Sequence, residues 1–285
     1  MDLEKKIAAI GRKLTPMDDD LFVKIANDRD FLEEMLRCIL TSPELVVNKF
    51  HMQHELRNME GRSVIVDVWV SIDGEEILIE VQKANDDDHQ KRLFYESAVF
   101  VTNNTETGTK FRDVPNVIAI MIADFDIFGT GSDVYHVDRV VRENGKVVYN
   151  GYKEIYVNAK SKVKSDITEM MRVYTKPKAY NYEKFPVLSA RKHQFTETEE
   201  GKRNMNKELA QLIEEREKLA EQKGKEKGKI EGKIEAMAEI MEKNTNKIIT
   251  MIKDKLSLDT IYRYTEVPLE KIREIAQSRN LVLVE

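Results

Sequence analysis

The stretch from Ser63 to Lys83, SVIVDVWVSIDGEEILIEVQK, consists of two alternating apolar runs on either side of the pair Asp73-Gly74. Asp-Gly is a favoured sequence for a two-residue hairpin turn, and apolar residues at every second position are typical of a strand. Counting outward from this turn, the hairpin register places Asp67 directly opposite Glu80. We therefore predict a tight antiparallel hairpin in which two carboxylates face each other.

The same alternation divides the hairpin side chains between two faces. One face is predicted to carry Ile65, Asp67, Trp69, Leu78, Glu80 and Gln82, and the other Val66, Val68, Val70, Ile77, Ile79 and Val81. Opposed like charges repel, and a close, partly covered carboxylate pair has one raised pKa unless a cation is present. A divalent metal held by the two carboxylates removes that cost most simply. The alternative is a solvated sheet face with two incidental acids.

The series Asp67, hairpin turn and IEVQK, with Glu80 and Gln82, resembles a known nuclease signature. It is similar to the Asp...Glu-x-Lys motif of the PD-(D/E)xK nucleases, in the branch where Gln replaces the Lys. More specifically, the chain resembles the Rpn-type recombination-promoting nucleases, also called PD-(D/E)xK nuclease family transposases. This set of three residues is the sharp part of the resemblance.

Looser motifs extend the resemblance over nearly the whole chain. DDDLFVKIANDRDFLEEMLRCIL is similar to the first helices of the family, although Phe22 and Lys24 are not adjacent as is usual there. KRLFYESAVF resembles the Arg-x-x-Tyr helix after the active-site strands, and GTKFRDVPNVIAIMIADFDIF the next apolar strand. A Gly-Lys-rich helical tail that ends in a small helical hairpin is also similar to the family.

The resemblance implies an α/β (α+β) fold with an αβββαβ restriction-endonuclease-like core, a mixed sheet flanked by helices and a helical C-terminal tail. It implies a DNA endonuclease, a hydrolase of phosphodiester bonds, connected with recombination or mobile elements. Asp67 and Glu80 would ligate Mg²⁺ or Mn²⁺, as the hairpin register independently permits. The order of predicted elements, helix, hairpin, helix and buried strand, agrees with this core.

Gln82 lies two residues after Glu80 and therefore on the same face. Its amide oxygen can ligate an ion or position water or phosphate, but the amide cannot act as a base. Activation of water would then depend on the metal, with Glu80 or substrate phosphate accepting the proton. Lys83 is expected to point to the opposite face unless a β-bulge intervenes, so we predict an ordinary strand-end lysine.

The next predicted helix follows three aspartates at 86–88, which suit its N-terminal cap. On that helix Arg92 and Tyr95 are candidates for substrate contact: Arg92 for a phosphate, Tyr95 for orienting water or stacking. An Arg92–Glu96 surface ion pair is the equally weighted alternative for the arginine. Asp20 is a minor candidate for a further acid, although a role at the start of the first helix is favoured.

Composition sets wider limits on function. The net charge of −5 is unlike that of a non-specific DNA-coating protein, so DNA binding requires a local basic region. Lys160, Lys162 and Lys164, together with Lys176 and Lys178, could supply one, although an ordinary polar loop is the favoured interpretation. The single Cys38 excludes an intramolecular disulfide framework, and the absence of a long apolar run or leader indicates no membrane span and a cytoplasmic location.

We predict three parts: a nuclease-like domain at 1–185, a charged helical linker at 186–243, and a small helical hairpin at 244–285. Glycines at 224, 228 and 232 recur within the charged stretch, where they either permit close helix contact or weaken the helix. The second effect, a flexible tether, is slightly preferred. The C-terminal helices are candidates for a homo-oligomer contact.

Three classes of function follow. The first is the metal-dependent DNA endonuclease. The second is a catalytically inactive relative with the same fold that binds DNA or protein, which the change to Gln82 permits. The third is a helical assembly protein with a vestigial nuclease-like domain. The presence of both Asp67 and Glu80 favours the first class.

Overall fold

A computed structural model describes residues 7, 11, 13–57 and 61–284 of the chain. The chain divides into two compact units, Met1–Ala210 and Gln211–Glu285. The domain limits expected above remain predictions. No helix among the described residues has the length and apolar character needed to cross a membrane.

The first unit is built on a mixed six-stranded sheet with the order β1-β2-β3-β4-β8-β5. Neighbours are antiparallel from β1 to β3, parallel from β3 through β4 to β8, and antiparallel again for β8 and β5. Strands β6 and β7 form a separate hairpin. The strands are Lys49–Leu56 (β1), Val64–Ile72 (β2), Glu75–Gln82 (β3), Asn116–Ala123 (β4), Val134–Val137 (β5), Arg139–Val141 (β6), Lys146–Val148 (β7) and Tyr152–Asn158 (β8).

Helices accompany this sheet in the first unit. Within residues 13–57 and 61–284 the α-helices are Asp19–Ala26 (α1), Arg29–Ile39 (α2), His89–Asn103 (α3), Asp166–Thr175 (α4), Pro186–Thr196 (α5), Glu199–Lys253 (α6), Leu258–Thr265 (α7) and Leu269–Ser278 (α8). The helix, three antiparallel strands, helix and parallel strand confirm the expected αβββαβ order and mixed sheet. β4 is buried along nearly its whole length, as its continuous apolar sequence predicts.

Helices pack on the sheet around a core of aliphatic and aromatic side chains. α1 packs on β1 and β2, and α3 on β1 and β4. Phe22, Phe31 and Tyr174 are fully buried and bring three helices together through ring contacts of 6.4–6.5 Å between centroids. These ring contacts hold the three helices against one another.

Capping and one buried lysine define the junction of α4 and α5. The Ser165 side chain forms a capping box with Thr168 at the start of α4. At its end, the Lys192 ammonium donates to the carbonyls of Val173 at 2.7 Å and Lys176 at 2.5 Å. Burial lowers the pKa of Lys192 to about 8, although Glu197 opposes the shift. The lysine thereby satisfies backbone oxygens that would otherwise lack donors.

The second unit is helical and has its own apolar core. The buried residues of this core are Ile248, Ile252, Leu258, Ile261, Ile272 and Ala276. Ser257 caps α7, Glu266 ends it in the left-handed conformation, and Pro268 precedes α8. The predicted helix, turn and helix at the C-terminus are therefore present.

The charged stretch forms part of α6, a continuous helix of 55 residues. Ion pairs four residues apart, such as Glu221–Lys225 at 2.6 Å, run along its exposed surface. A Cβ atom added at Gly224, Gly228 or Gly232 would meet none of the described residues within 4 Å, so these positions are open in the part of the chain that the structure describes. The preference for a flexible tether is wrong for the backbone, because the i,i+4 pairs and the other helix-forming residues support the helix despite the glycines.

Candidate metal centre

The β2–β3 hairpin has the register predicted from its Asp73-Gly74 turn. Ile72 lies opposite Glu75, and the ladder continues to Val68 opposite Ile79. One residue further along, at Asp67 and Glu80, hydrogen bonds from backbone amides to side-chain carboxylates join the two strands. The Asp67 amide donates to Glu80 Oε1 at 3.2 Å, and the Val81 amide donates to Asp67 Oδ2 at 2.9 Å. Each carboxylate therefore accepts from an amide of the opposite strand at the point where the ladder ends.

The β1 side of Asp67 is irregular as well. Pairing between β1 and β2 includes Met52 with Val68 and His54 with Val66 but omits Gln53. Gln53 has φ +46°, in the left-handed region that non-glycine residues seldom adopt. Asp67 thus lies where both neighbouring ladders are interrupted.

Arg92 on α3 joins the acidic residues of the strand to those of the helix. Its guanidinium donates to Glu80 Oε2 at 2.5 Å, to Glu96 Oε1 at 2.8 Å and to Gln82 Oε1 at 3.2 Å. The expected Arg92–Glu96 ion pair is present, but it is not a surface pair, since Glu80 is 1% and Glu96 2% exposed. The Arg92 guanidinium therefore contacts side chains of the site itself.

The site has more negative than positive charge. Burial raises the pKa of Asp67 to about 6, against the hydrogen bond from Val81, and nearby Asp19 raises it further. Burial likewise raises the pKa of Glu80 well above its usual value, with Asp67 and Glu96 adding to the shift and Arg92 opposing it. Three buried or partly buried carboxyls thus share one guanidinium, which is the setting in which an added cation is favourable.

The donor set fits a hard metal ion with few protein ligands. Among the described residues, no three or more His, Cys, Asp or Glu side chains are grouped so that they could hold a metal. Mg²⁺ commonly has only one or two carboxylate ligands and retains several waters. Asp67 and Glu80 can supply these two, with the Gln82 amide oxygen beside them. The buried Oε2 of Glu96 has no hydrogen-bond donor among the described residues, which is consistent with an unbalanced negative charge.

The sequence did not predict that two acids near the Asp67–Glu80 pair, Glu96 and Asp19, belong to the site. Glu96 was expected in a surface ion pair, and only the packing of α3 on the sheet buries it against Glu80. Asp19 at the start of α1 acts electrostatically on Asp67; the Asp20 side chain, the minor candidate, lies outside the described part of the chain. Nothing in the spacing distinguishes these two neighbouring aspartates.

The other candidates have separate partners. Lys83 pairs with Asp18 at 2.5 Å, in keeping with its predicted orientation away from Gln82. The Tyr95 hydroxyl donates to the Arg62 carbonyl at 2.6 Å. As predicted, the aspartates before α3 include its cap, since Asp88 accepts from the Lys91 amide.

The loop lysines considered as a basic edge lie beyond the end of β8. Lys160 pairs with Asp124 at 2.8 Å, while Lys162 and Lys164 are exposed. A lysine that is neutralised by a neighbouring carboxylate adds little to a field that attracts phosphate. The ion pair of Lys160 therefore favours the interpretation of this segment as an ordinary polar loop. For the exposed Lys162 and Lys164, the polar loop and the basic edge both stay predictions.

Comparison with known proteins decides the family. The family model described as PD-(D/E)XK nuclease family transposase matches residues 20–263, which is most of the chain. The chain belongs to the PD-(D/E)XK nuclease family transposases. Membership in this family implies a phosphodiester hydrolase that acts on DNA and is associated with mobile elements, and its nucleases generally use divalent metals. Neither the curated proteins nor the solved structures contain a match to the chain.

Proposed function

We propose that the protein is a Mg²⁺- or Mn²⁺-dependent DNA endonuclease that takes part in recombination of mobile elements. The observation that carries the proposal is the buried excess of negative charge where β2 and β3 separate. Asp67 and Glu80 face each other there, and the guanidinium of Arg92 is the cation that contacts Glu80. Family membership supplies the reaction class, and the carboxylate pair supplies the ligands.

Asp67 and Glu80 would hold the metal, with Gln82 contributing its amide oxygen. A bound metal of this kind lowers the pKa of a ligated water and stabilises charge on the scissile phosphate. Gln82 cannot act as a base, because an amide has no useful basicity. The proton of an attacking water would therefore have to pass to the substrate phosphate or to Glu80.

Arg92 has a double role in this proposal. Without substrate its guanidinium neutralises Glu80 and Glu96. Because about a third of the side chain is exposed, 37%, it can exchange a carboxylate partner for a phosphate oxygen without leaving the site. Tyr95, one turn of α3 further on, is the second proposed substrate contact.

The test is cleavage of supercoiled plasmid and of linear duplex by the full-length protein with Mg²⁺, with Mn²⁺ and with a chelator. Cleavage is expected only with metal, and Asp67→Ala and Glu80→Ala are each expected to abolish it. Their losses should exceed the about 10- to 100-fold typical of residues that only support a metal ligand. Glu106→Ala, which removes an exposed acid elsewhere in the first unit, is the matched control.

Retained cleavage in both site variants would overturn the assignment of the residues. Absence of cleavage with either ion would favour the alternative of an inactive nuclease fold that binds DNA or protein, whereas metal-independent cleavage would contradict the proposed metal dependence. DNA binding by such a protein would survive Asp67→Ala, which distinguishes the two.

We further propose that the protein forms a homodimer through α6. Four apolar side chains of α6 are 59–71% exposed at spacings of four, three and four residues, the seam of a coiled coil: Ile230, Ile234, Met237 and Met241. An antiparallel copy with Ile234 opposite Met237 brings Glu226 of each helix beside Lys247 of the other. This charge complementarity at both ends favours a second copy as the occupant.

The dimer proposal is tested by sedimentation of the full chain. Met237→Lys, which places a charge in the seam, is expected to give monomers. Asn246→Lys adds the same charge to an exposed position outside the seam and should leave the dimer intact. A monomeric wild-type protein, or equal effects of the two substitutions, would contradict the proposal.

A further inference from the structure

A cluster of aromatic and imidazole rings lies beside Asp67 on strands β1 and β2. The Trp69 ring is stacked on His51, with 4.8 Å between centroids and an interplanar angle of 14°. His54 contacts the same indole at 4.8 Å, and Phe100 of α3 contacts it edge-on at 5.3 Å. The rings therefore form a continuous π surface that ends in an exposed imidazole at His51.

The irregular residue Gln53 explains how two histidines reach one face. In a regular strand His51 and His54, three positions apart, would point to opposite faces. Gln53 between them is in the left-handed region at φ +46°, and the β1–β2 pairing omits it. The resulting change of direction brings both rings to Trp69, so the distortion next to Asp67 also builds the ring cluster.

Positive charge and a fixed indole accompany the stack. The Lys49 ammonium lies 5.0 Å from the centroid of the Trp69 ring. The indole nitrogen donates to Glu76 Oε2 at 2.6 Å, which holds the ring in one orientation. Burial lowers the pKa of His54, and the neighbouring His51 and Lys49 lower it further. The cluster is thus aromatic, with its cation at one side.

Trp69 and Asp67 are two residues apart on one strand and point to the same face. At a rise of about 3.4 Å per residue, their Cα atoms are about 7 Å apart. That is close to the spacing of neighbouring nucleotides along a strand. A nucleotide whose phosphate reaches Asp67 would place an adjacent base near the exposed ring of His51.

We propose that Trp69, His51 and His54, with Lys49, form a platform on which an unpaired nucleobase stacks next to the phosphodiester that is cleaved. The proposal rests on the proposed function and specifies its substrate as DNA with single-stranded character. Aromatic faces beside a cation are the features by which proteins hold single strands without reading sequence. In a duplex the bases are stacked on each other and their faces are not accessible to these rings.

Trp69 is the single tryptophan of the chain, so its fluorescence reports directly on the platform. Full-length protein in chelator is titrated with an oligothymidylate and, separately, with a blunt duplex of equal length. The single strand is expected to quench Trp69 emission and the duplex to leave it nearly unchanged. Affinities are measured independently from the anisotropy of a labelled oligonucleotide.

Substitutions at His51 separate stacking from charge. His51→Ala is expected to weaken single-strand binding roughly tenfold, since a base–aromatic contact is of that order. His51→Phe keeps a ring and should retain the affinity, whereas His51→Lys supplies a charge without a ring and should not. His136→Ala removes an exposed histidine from β5, the opposite edge strand, and should have no effect. Circular dichroism verifies that each variant is folded.

The proposal is overturned if the duplex quenches Trp69 as strongly as the single strand, or if the wild type binds no single strand. Equal losses in His51→Phe and His51→Ala, or in His51→Ala and His136→Ala, would also overturn it. These outcomes are independent of the metal-dependent cleavage assay. Cleavage without stacking would refute the proposed platform and leave the proposed nuclease function intact. Stacking without cleavage would refute the nuclease function and leave the platform intact.

Discussion

Arg92 and Glu96 form an ion pair at i,i+4 spacing on α3, and Glu221 and Lys225 form one at the same spacing on α6. The first pair has a fully buried carboxylate and a third partner, Glu80, from a strand. Both partners of the second pair are about two thirds exposed, at 66% and 69%. Identical spacing in the sequence therefore yields a buried, unbalanced charge cluster in one unit and a solvated helix surface in the other.

The difference lies in the cost of removing one partner. A buried carboxylate that loses its cation must be desolvated without compensation, while an exposed one regains water. The same contrast governs function, because an unbalanced buried charge attracts a metal and a balanced exposed one does not. Predictions that change one region and its counterpart in the other can test this contrast.

Arg92→Met keeps most of the side-chain volume and removes the cation from Glu80 and Glu96. We expect a loss of about 3–5 kcal/mol in the free energy of unfolding at neutral pH, as for other broken buried pairs. Lys225→Met, the counterpart on α6, should cost at most about 0.5 kcal/mol. Urea unfolding is followed by Trp69 emission for the first unit and by circular dichroism for α6.

Acid provides a control for the Arg92→Met variant. Protonation of Glu80 and Glu96 removes the uncompensated charge, so part of the lost stability should return as the pH is lowered towards 5. Added Mg²⁺ should restore stability at neutral pH if Asp67 and Glu80 hold it. A loss no larger than that of Lys225→Met would show that the buried cluster is not the charged site that we infer.

The pH dependence of stability gives the next largest effect. The pKa of Asp67 is about 6 in the folded state against an ordinary value of 3.8, so the folded state holds this proton more tightly. The bound proton therefore adds to the free energy of unfolding below the ordinary pKa of Asp67. This contribution, on the order of 3 kcal/mol in total, is lost as the pH rises towards 6. The difference between wild type and Asp67→Asn, measured by urea unfolding at several pH values, isolates it.

The exposed helix should show the opposite sign. Glu214 on α6 has a lowered pKa because its side chain accepts a hydrogen bond from Lys218, so its small contribution is lost as the pH falls. Glu214→Gln should therefore alter helicity at pH values above 4.5, the ordinary pKa of that carboxyl, and lose its effect as the pH falls below it. The shift of the Asp67 pKa spans roughly pH 4 to 6. If Asp67→Asn left the pH dependence of the free energy of unfolding of the first unit unchanged in this interval, burial of that carboxyl would be refuted.

Sequence reasoning predicted the hairpin register, the Asp67–Glu80 juxtaposition and the order of elements because these depend on local patterns. The Asp73-Gly74 turn fixes the register, and the continuous apolar run fixes β4 as a central strand. The burial of Glu96 and the approach of Asp19 depend on how helices pack on the sheet. Residues far apart in sequence decide that packing, so no local pattern contained it.

Two glycines of α6 show the contrast between a crowded and an open position, and replacing either by alanine adds one methyl group. A Cβ atom at Gly201 would lie 2.0 Å from the Gln194 carbonyl oxygen, which is backbone and cannot give way easily. Gly201→Ala should therefore cost about 1–3 kcal/mol or more. At Gly228 the space is open, and alanine should stabilise the helix by about 1 kcal/mol. Unfolding monitored by Trp69 emission for the first variant and by circular dichroism for the second measures the two effects. If both substitutions changed the free energy of unfolding in the same direction, helix propensity, and not the close approach of α5, would decide the preference for glycine at position 201.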